Sequence, residues 1–134
     1  MWLADSRLEI EKDLNLSVMF VKLMKSKLHR AAVTEAKLNY PGSIGIDSAL
    51  MEAAGILPYE SVLVADINNG NRLETYVVPE DAGSGKIVIL GAAAQLIKLK
   101  DRVIIIGFGL FSPEEAKEHK PKVVVLDENN RIVK

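Results

Sequence analysis

The sequence predicts a mainly β protein, a small closed barrel of short strands carrying two short helices. Three observations point there. Short β-rich runs follow one another with Gly and Asn between them, an Asn-Gly step separates two of those runs, and the strand and long-helix alternation of a parallel α/β sheet is missing. The chain has 134 residues, 49% of them apolar and only 5% aromatic, so one core must be filled by Val, Ile, Leu and Ala. No internal repeat or linker interrupts it, and residues 19–134 are expected to form a single domain.

Val21 to Val33 reads as a strand at a barrel or sheet edge, ended by the polar Thr34-Glu35 step. Lys27 and His29, two apart, project from one of its faces. Tyr40-Pro41-Gly42-Ser43 is a sharp turn into the alternating Ile44-Gly45-Ile46-Asp47. The segment from Asp47 to Gly55 opens on an N-cap candidate, continues in good helix formers and closes on a Gly at C′, with Pro58 just beyond. Ser61 to Ile67 and Leu73 to Val78 are strands of a hairpin around Asn68-Asn69-Gly70-Asn71, with Arg72 and Tyr76 on one face of the returning strand. Gly83-Ser84-Gly85 turns into a strand from Ile87 to Leu90, and Gly91-Ala92-Ala93-Ala94 then allows close backbone approach in a short helix or turn. Val103 to Ile106 is a buried strand. Ser112 caps a helix with Pro113 in its first position, and Val123 to Leu126, Asn129-Asn130 and Ile132 suggest a terminal hairpin. Met1 to Val18 fits either an amphipathic helix through Leu8, Ile10, Leu14 and Leu16 or an N-terminal extension created by a start codon assigned too early.

Composition excludes several classes of function. Seventeen basic and eighteen acidic side chains are scattered along the chain, giving a net charge of −1 and no footprint for nucleic acid or an anionic membrane. There is no cysteine, and two distant histidines supply little for a transition metal, so a metal-free, cytoplasmic protein is expected. The longest apolar run, Val103 to Phe111, is broken by Gly107 and Gly109 and falls well short of the roughly 20 residues that span a bilayer. Residues 1–18 carry four acidic side chains and resemble no secretory or transit signal.

Gly42-Ser43 is the most informative dipeptide. Pro41 fixes φ and lacks an N–H, and Gly42 reaches angles closed to other residues, so a carbonyl can be held in a strained turn beside a hydroxyl. Alone the dipeptide signals an ordinary turn, as Gly83-Ser84 does. Its surroundings are more specific. Lys25 to Arg30, Leu38 to Ile44, Ala53-Ala54-Gly55-Ile56-Leu57-Pro58, Asn68-Asn69-Gly70 with Arg72 to Tyr76, and Gly91 to Ala94 together resemble, in order and spacing, the pyruvoyl-dependent aspartate 1-decarboxylases. Members of that family usually begin a few residues before the Lys-x-His-Arg block, which favours Met19 as the native start.

The resemblance implies a double-ψ β-barrel, a homotetramer with active sites between subunits, and a proenzyme. Ser43 would attack the Gly42 carbonyl carbon, and cleavage would leave a chain ending at Gly42 and a 92-residue chain headed by a pyruvoyl group derived from Ser43. That ketone would form a Schiff base with L-aspartate and accept the electrons released with carbon dioxide, yielding β-alanine for pantothenate and coenzyme A synthesis. Arg72 and Lys27 match the substrate carboxylate positions, His29 a nearby one, and Gly91, Ala92, Ala93 and Ala94 a small-residue segment lining the pocket. Tyr76 matches the proton donor and Thr75 the residue that assists processing. Thr75 and Tyr76 point to opposite faces of a straight strand, so they share one site only across a bulge or between two subunit pockets.

Leu90 departs from the family, which typically has Asn there, and Leu73 replaces a commoner aromatic as a core variation. Losing the Asn hydrogen bond predicts slower or less complete processing. Competing readings are an unprocessed barrel serving as a binding or structural subunit and a generic small β-barrel ligand binder. The residues leave open whether a maturation factor is needed, and two cations alone would also accept glutamate.

Overall fold

The computed structural model describes residues 19–134; the helix or extension expected over residues 1–18 lies outside the described residues. The strands are β1 (Val21–Ala32), β2 (Glu35–Lys37), β3 (Ser43–Asp47), β4 (Ser61–Asp66), β5 (Arg72–Glu80), β6 (Ile87–Leu90), β7 (Arg102–Phe111) and β8 (Lys122–Val125). Helix α1 spans Ser48–Ala54, α2 spans Pro113–Glu118, and a 3₁₀ turn spans Gly91–Gln95. The strands form one eight-stranded sheet in the order β2-β6-β3-β5-β4-β7-β1-β8. The protein is thus mainly β, consistent with a small β-barrel. No helix among the described residues is long and apolar enough to cross a bilayer.

Two compact units are distinguished. The described part of the smaller comprises residues 19–23 and Gly109–Lys120. Here the expected cap of α2 is a full capping box: Glu115 N donates to Ser112 Oγ at 3.2 Å, and Ser112 N donates back to Glu115 Oε1 at 2.9 Å. The rings of Phe111 and His119, on either side of the helix in sequence, lie tilted at 36° with centroids 4.2 Å apart.

The larger unit comprises Met24–Phe108 and Pro121–Lys134 and holds the core, built as expected from aliphatic side chains such as Leu28, Ile44, Ile46, Val64, Val77, Ile89, Ile97 and Ile105. Every residue of β3 is buried, because β6 pairs with it antiparallel on one edge and β5 parallel on the other. Parallel pairing also joins β1 to β8 and β2 to β6, which the sequence does not predict. Nor does it predict β2, whose Glu35-Ala36-Lys37 is short and polar; that strand exists because its backbone pairs with β6.

Two signals read separately in the sequence prove to be one device. Asp47 caps α1 by accepting from Ala49 N at 2.8 Å, and the same carboxylate takes Gly83 N at 3.0 Å and Gly85 N at 2.9 Å from the glycine turn before β6. Burial pushes the Asp47 carboxyl up, but these backbone donors outweigh it and hold the group below its usual range. Gly55 ends the helix at φ 73°, as expected. After β8, the Asn130 side chain donates to Ala32 O and Gly85 O, both at 2.8 Å, and accepts from Ala32 N at 2.6 Å, tying the terminal turn to β1 and to the approach to β6.

The Asn-Gly hairpin forms with Ala65 opposite Arg72. Asn69 and Asn71 both donate their side-chain amides to Leu96 O, at 3.0 and 2.9 Å, and Arg102 N donates to Asn68 Oδ1 at 2.8 Å. At the hairpin's base Asp66 is almost fully buried, and its Oδ2 meets no donor. Burial, then the neighbouring Asp101 carboxyl, pushes Asp66 up to about 6. A carboxyl whose pKa is raised on folding stabilises the native state below its unfolded value, and that contribution is lost as pH rises through the folded value. Denaturant midpoints should therefore include a loss of stability between roughly pH 4 and 6 that Asp66→Asn removes.

Candidate active site

Gly42 and Ser43 sit where β3 begins. Ser43 is 5% exposed and lies opposite Leu90 in the β3–β6 ladder. Leu90 is extended, and Gly91 then turns the chain at φ 81° into the 3₁₀ segment. A Cβ on Gly91 would fall 2.6 Å from Gly42 Cα, 2.9 Å from Gly42 N and 2.8 Å from Tyr40 O, closer than a real side chain approaches. The Tyr40–Gly42 backbone therefore lies directly on Gly91, a position closed to other residues by both space and dihedral angle.

Beside this contact is a pocket of about 310 Å³ lined by Gly42, Leu73, Glu74, Thr75, Leu90, Ala92, Ala93 and Leu96. It is of a size for a small metabolite. Of the residues singled out in the sequence, the fold thus gathers Gly42, Thr75, Ala92 and Ala93, with Ser43 and Gly91 directly adjoining Gly42 and Leu90. Ala94 turns instead into the core. The sequence did not single out Glu74 or Leu96. Leu96 has a structural mark only, as the carbonyl that both hairpin asparagines hold. Leu73, expected to be a core variation, packs against the core and lines the pocket as well.

Lys27, His29, Arg72 and Tyr76 do not line this pocket. Lys27 and His29 share a face of β1, which β5, β4 and β7 separate from β3 in the sheet. His29 Nδ1 is buried and meets no partner; burial, then the charges of Lys27, Arg30 and Arg102, hold its pKa below the usual value. The next residue, Arg30, takes φ 67°, and its carbonyl accepts from Arg102 Nε at 2.8 Å and Nη2 at 2.6 Å. Arg72 and Tyr76 lie with Glu74 on the exposed face of β5, Tyr76 being 40% exposed. Among the described residues no ion pair reaches Lys27 or Arg72. The register from Ser61–Tyr76 to Ala65–Arg72 is unbroken, so no bulge turns Thr75 and Tyr76 to the same side.

The chain that carries this pocket and its buried Gly-Ser junction is similar in sequence to known proteins. Residues 19–133 match the model of the aspartate decarboxylase family. The chain belongs to this family. It is 57% identical over 116 residues to the aspartate 1-decarboxylase of Caldicellulosiruptor saccharolyticus, an alignment covering 87% of this chain and 91% of that one. It is 58% identical over 116 residues to the aspartate 1-decarboxylase of Carboxydothermus hydrogenoformans, with the same coverage of both chains. It is 55% identical over 114 residues to that of Listeria monocytogenes, covering 85% and 90%. In this member of the aspartate decarboxylase family the Gly91 contact is sharply testable. Gly91→Ala should destabilise the protein by about 2 kcal/mol or more through strain and overpacking, and should open the Tyr40–Gly42 loop to proteases, as thermal melts and limited proteolysis will record.

Proposed function

We propose that this chain is a proenzyme that cuts itself at Gly42-Ser43 and then decarboxylates L-aspartate to β-alanine and carbon dioxide. The observation that carries this is the confinement of the Gly42-Ser43 junction. It is buried on one side, pressed against Gly91, and open on the other to a pocket that Thr75 lines. Relatives of 55% to 58% identity named aspartate 1-decarboxylase supply the substrate.

In processing, Ser43 Oγ attacks the Gly42 carbonyl carbon, the C–N bond breaks, and an ester joins Gly42 to Ser43 Oγ while the Ser43 nitrogen becomes a free amine. The Thr75 hydroxyl donates to the carbonyl oxygen as charge grows on it. Loss of the Ser43 Cα proton then expels the Gly42 carboxylate from Cβ, and water displaces the nitrogen as ammonia. The residues around the junction fit the resulting pyruvoyl group, since Ser43 is its source and Ala92 and Ala93 leave room for a substrate beside it. That group supplies the electron sink that loss of an α-carboxylate requires.

Aspartate brings two negative charges, and the pocket within one chain offers no cation. Arg72 and Lys27, exposed or half-buried and free of ion pairs among the described residues, would clamp the carboxylates from a neighbouring subunit. His29, kept neutral, would add a hydrogen bond, and the Tyr76 hydroxyl would return a proton to the substrate carbon. Such sharing places Thr75 and Tyr76 of one unbulged strand in two different pockets, and a homotetramer with sites between subunits meets that geometry. A second reading, an unprocessed barrel acting as a binding subunit, draws support from Leu90, whose side chain can hold neither the loop nor the ketone by a hydrogen bond.

Intact mass under denaturing conditions separates these readings. Two chains divided after Gly42, the larger short of one ammonia, are expected, and a single uncut chain after prolonged incubation would favour the second. Ser43→Ala should stay whole and form no β-alanine. Thr75→Val should slow cleavage by about 10² or more. Leu90→Asn should speed cleavage severalfold, as a restored hydrogen bond of about 1 kcal/mol allows; an unchanged rate would show that this position is neutral to processing.

A further inference from the structure

One half-buried ion pair in the larger unit has no part in the chemistry above. Lys25 Nζ lies 2.7 Å from Glu60 Oε1 and donates to Gly55 O, also at 2.7 Å. Glu60 Oε1 accepts from Leu57 N at 3.2 Å as well, and Glu60 Oε2 is buried without a partner. The carboxylate reaches Lys25 on β1 by crossing β7 at Gly107. A Cβ there would stand 2.6 Å from Glu60 Oε2, so any larger residue would make the carboxylate shift from its present seat.

The two ends of this bridge fall beside the substrate-handling residues. Lys25 precedes Lys27 and His29 by two and four positions on the same strand, β1. The Glu60 carbonyl accepts from Val77 N at 3.1 Å, next to Tyr76, which pairs with Ser61. We propose that the Lys25–Glu60 pair, seated over Gly107, is a positioning device that fixes Lys27 and His29 relative to Tyr76. This rests on the decarboxylase reading. Lys25 and Glu60 touch no reacting atom; they hold in place the strands that do.

The test uses full-length protein carried to complete cleavage, with cleavage checked by intact mass. Glu60→Gln keeps the shape and removes the charge, Lys25→Met removes the partner, and Gly107→Ala displaces the carboxylate while leaving both charges. Each should raise KM for L-aspartate about tenfold with a smaller change in kcat, and Glu60→Gln combined with Gly107→Ala should be no worse than the more severe single variant. Imidazole NMR titration provides a readout independent of turnover. The His29 midpoint should move towards its ordinary value as β1 shifts. Unchanged KM and His29 midpoint, even with lowered thermal stability, would overturn the proposal, as would multiplicative effects in the double variant. Wild-type protein that is cut yet inactive on aspartate would instead refute the decarboxylase reading; the His29 titration would then judge the positioning alone.

Discussion

The approach of two backbones at Gly91 is the constraint on which the candidate site depends. Peptide groups can touch that closely only where one residue has no side chain and can turn at positive φ. The contact fixes Tyr40–Gly42, and with it the orientation of the carbonyl that precedes Ser43. Pairing of Ser43 with Leu90 and of Ile44 with Val77 then continues the constraint into a fully buried strand. The Gly42-Ser43 junction is therefore held by backbone geometry on one side while its other side faces the pocket. Local side-chain chemistry needs only to supply a hydroxyl and a hydrogen-bond donor.

Much of this fold is legible in the sequence because its elements end on residues with local physical meaning. Asp47 and Gly55 bracket α1, Ser112 and Pro113 start α2, and Asn69-Gly70 closes the β4–β5 hairpin, all as local capping and turn chemistry requires. Partnership between distant strands is different. Nothing in Glu35-Ala36-Lys37 marks it as a strand until β6 lies alongside, and the parallel pairing of β3 with β5 depends on tertiary placement. A local pattern carries a strand's period and not its neighbour.

The candidate site divides the same way. The glycine, serine and alanine segments were identifiable through their order and spacing along the chain, since each alone reads equally well as an ordinary turn. Their gathering around one pocket follows from strands that start at Ser43 and end at Leu90. Leu96 left no mark in the sequence, since an exposed leucine after a short turn is ordinary. The unbroken β4–β5 register narrows the two arrangements open for Thr75 and Tyr76, because the bulge that would let them share a face is absent from those residues.

Asn130 lends one structural detail a wider consequence. Its amide reaches Ala32, upstream of the Gly42-Ser43 bond, and also Gly85, downstream of it. β1 pairs with β8 across the same divide. Severing that bond would therefore leave two polypeptides knitted into a single folded body, much as complementing fragments are. Such a body, once denatured, could re-form only by encounter, so refolding of each subunit would depend on concentration where folding of an uncut subunit would not.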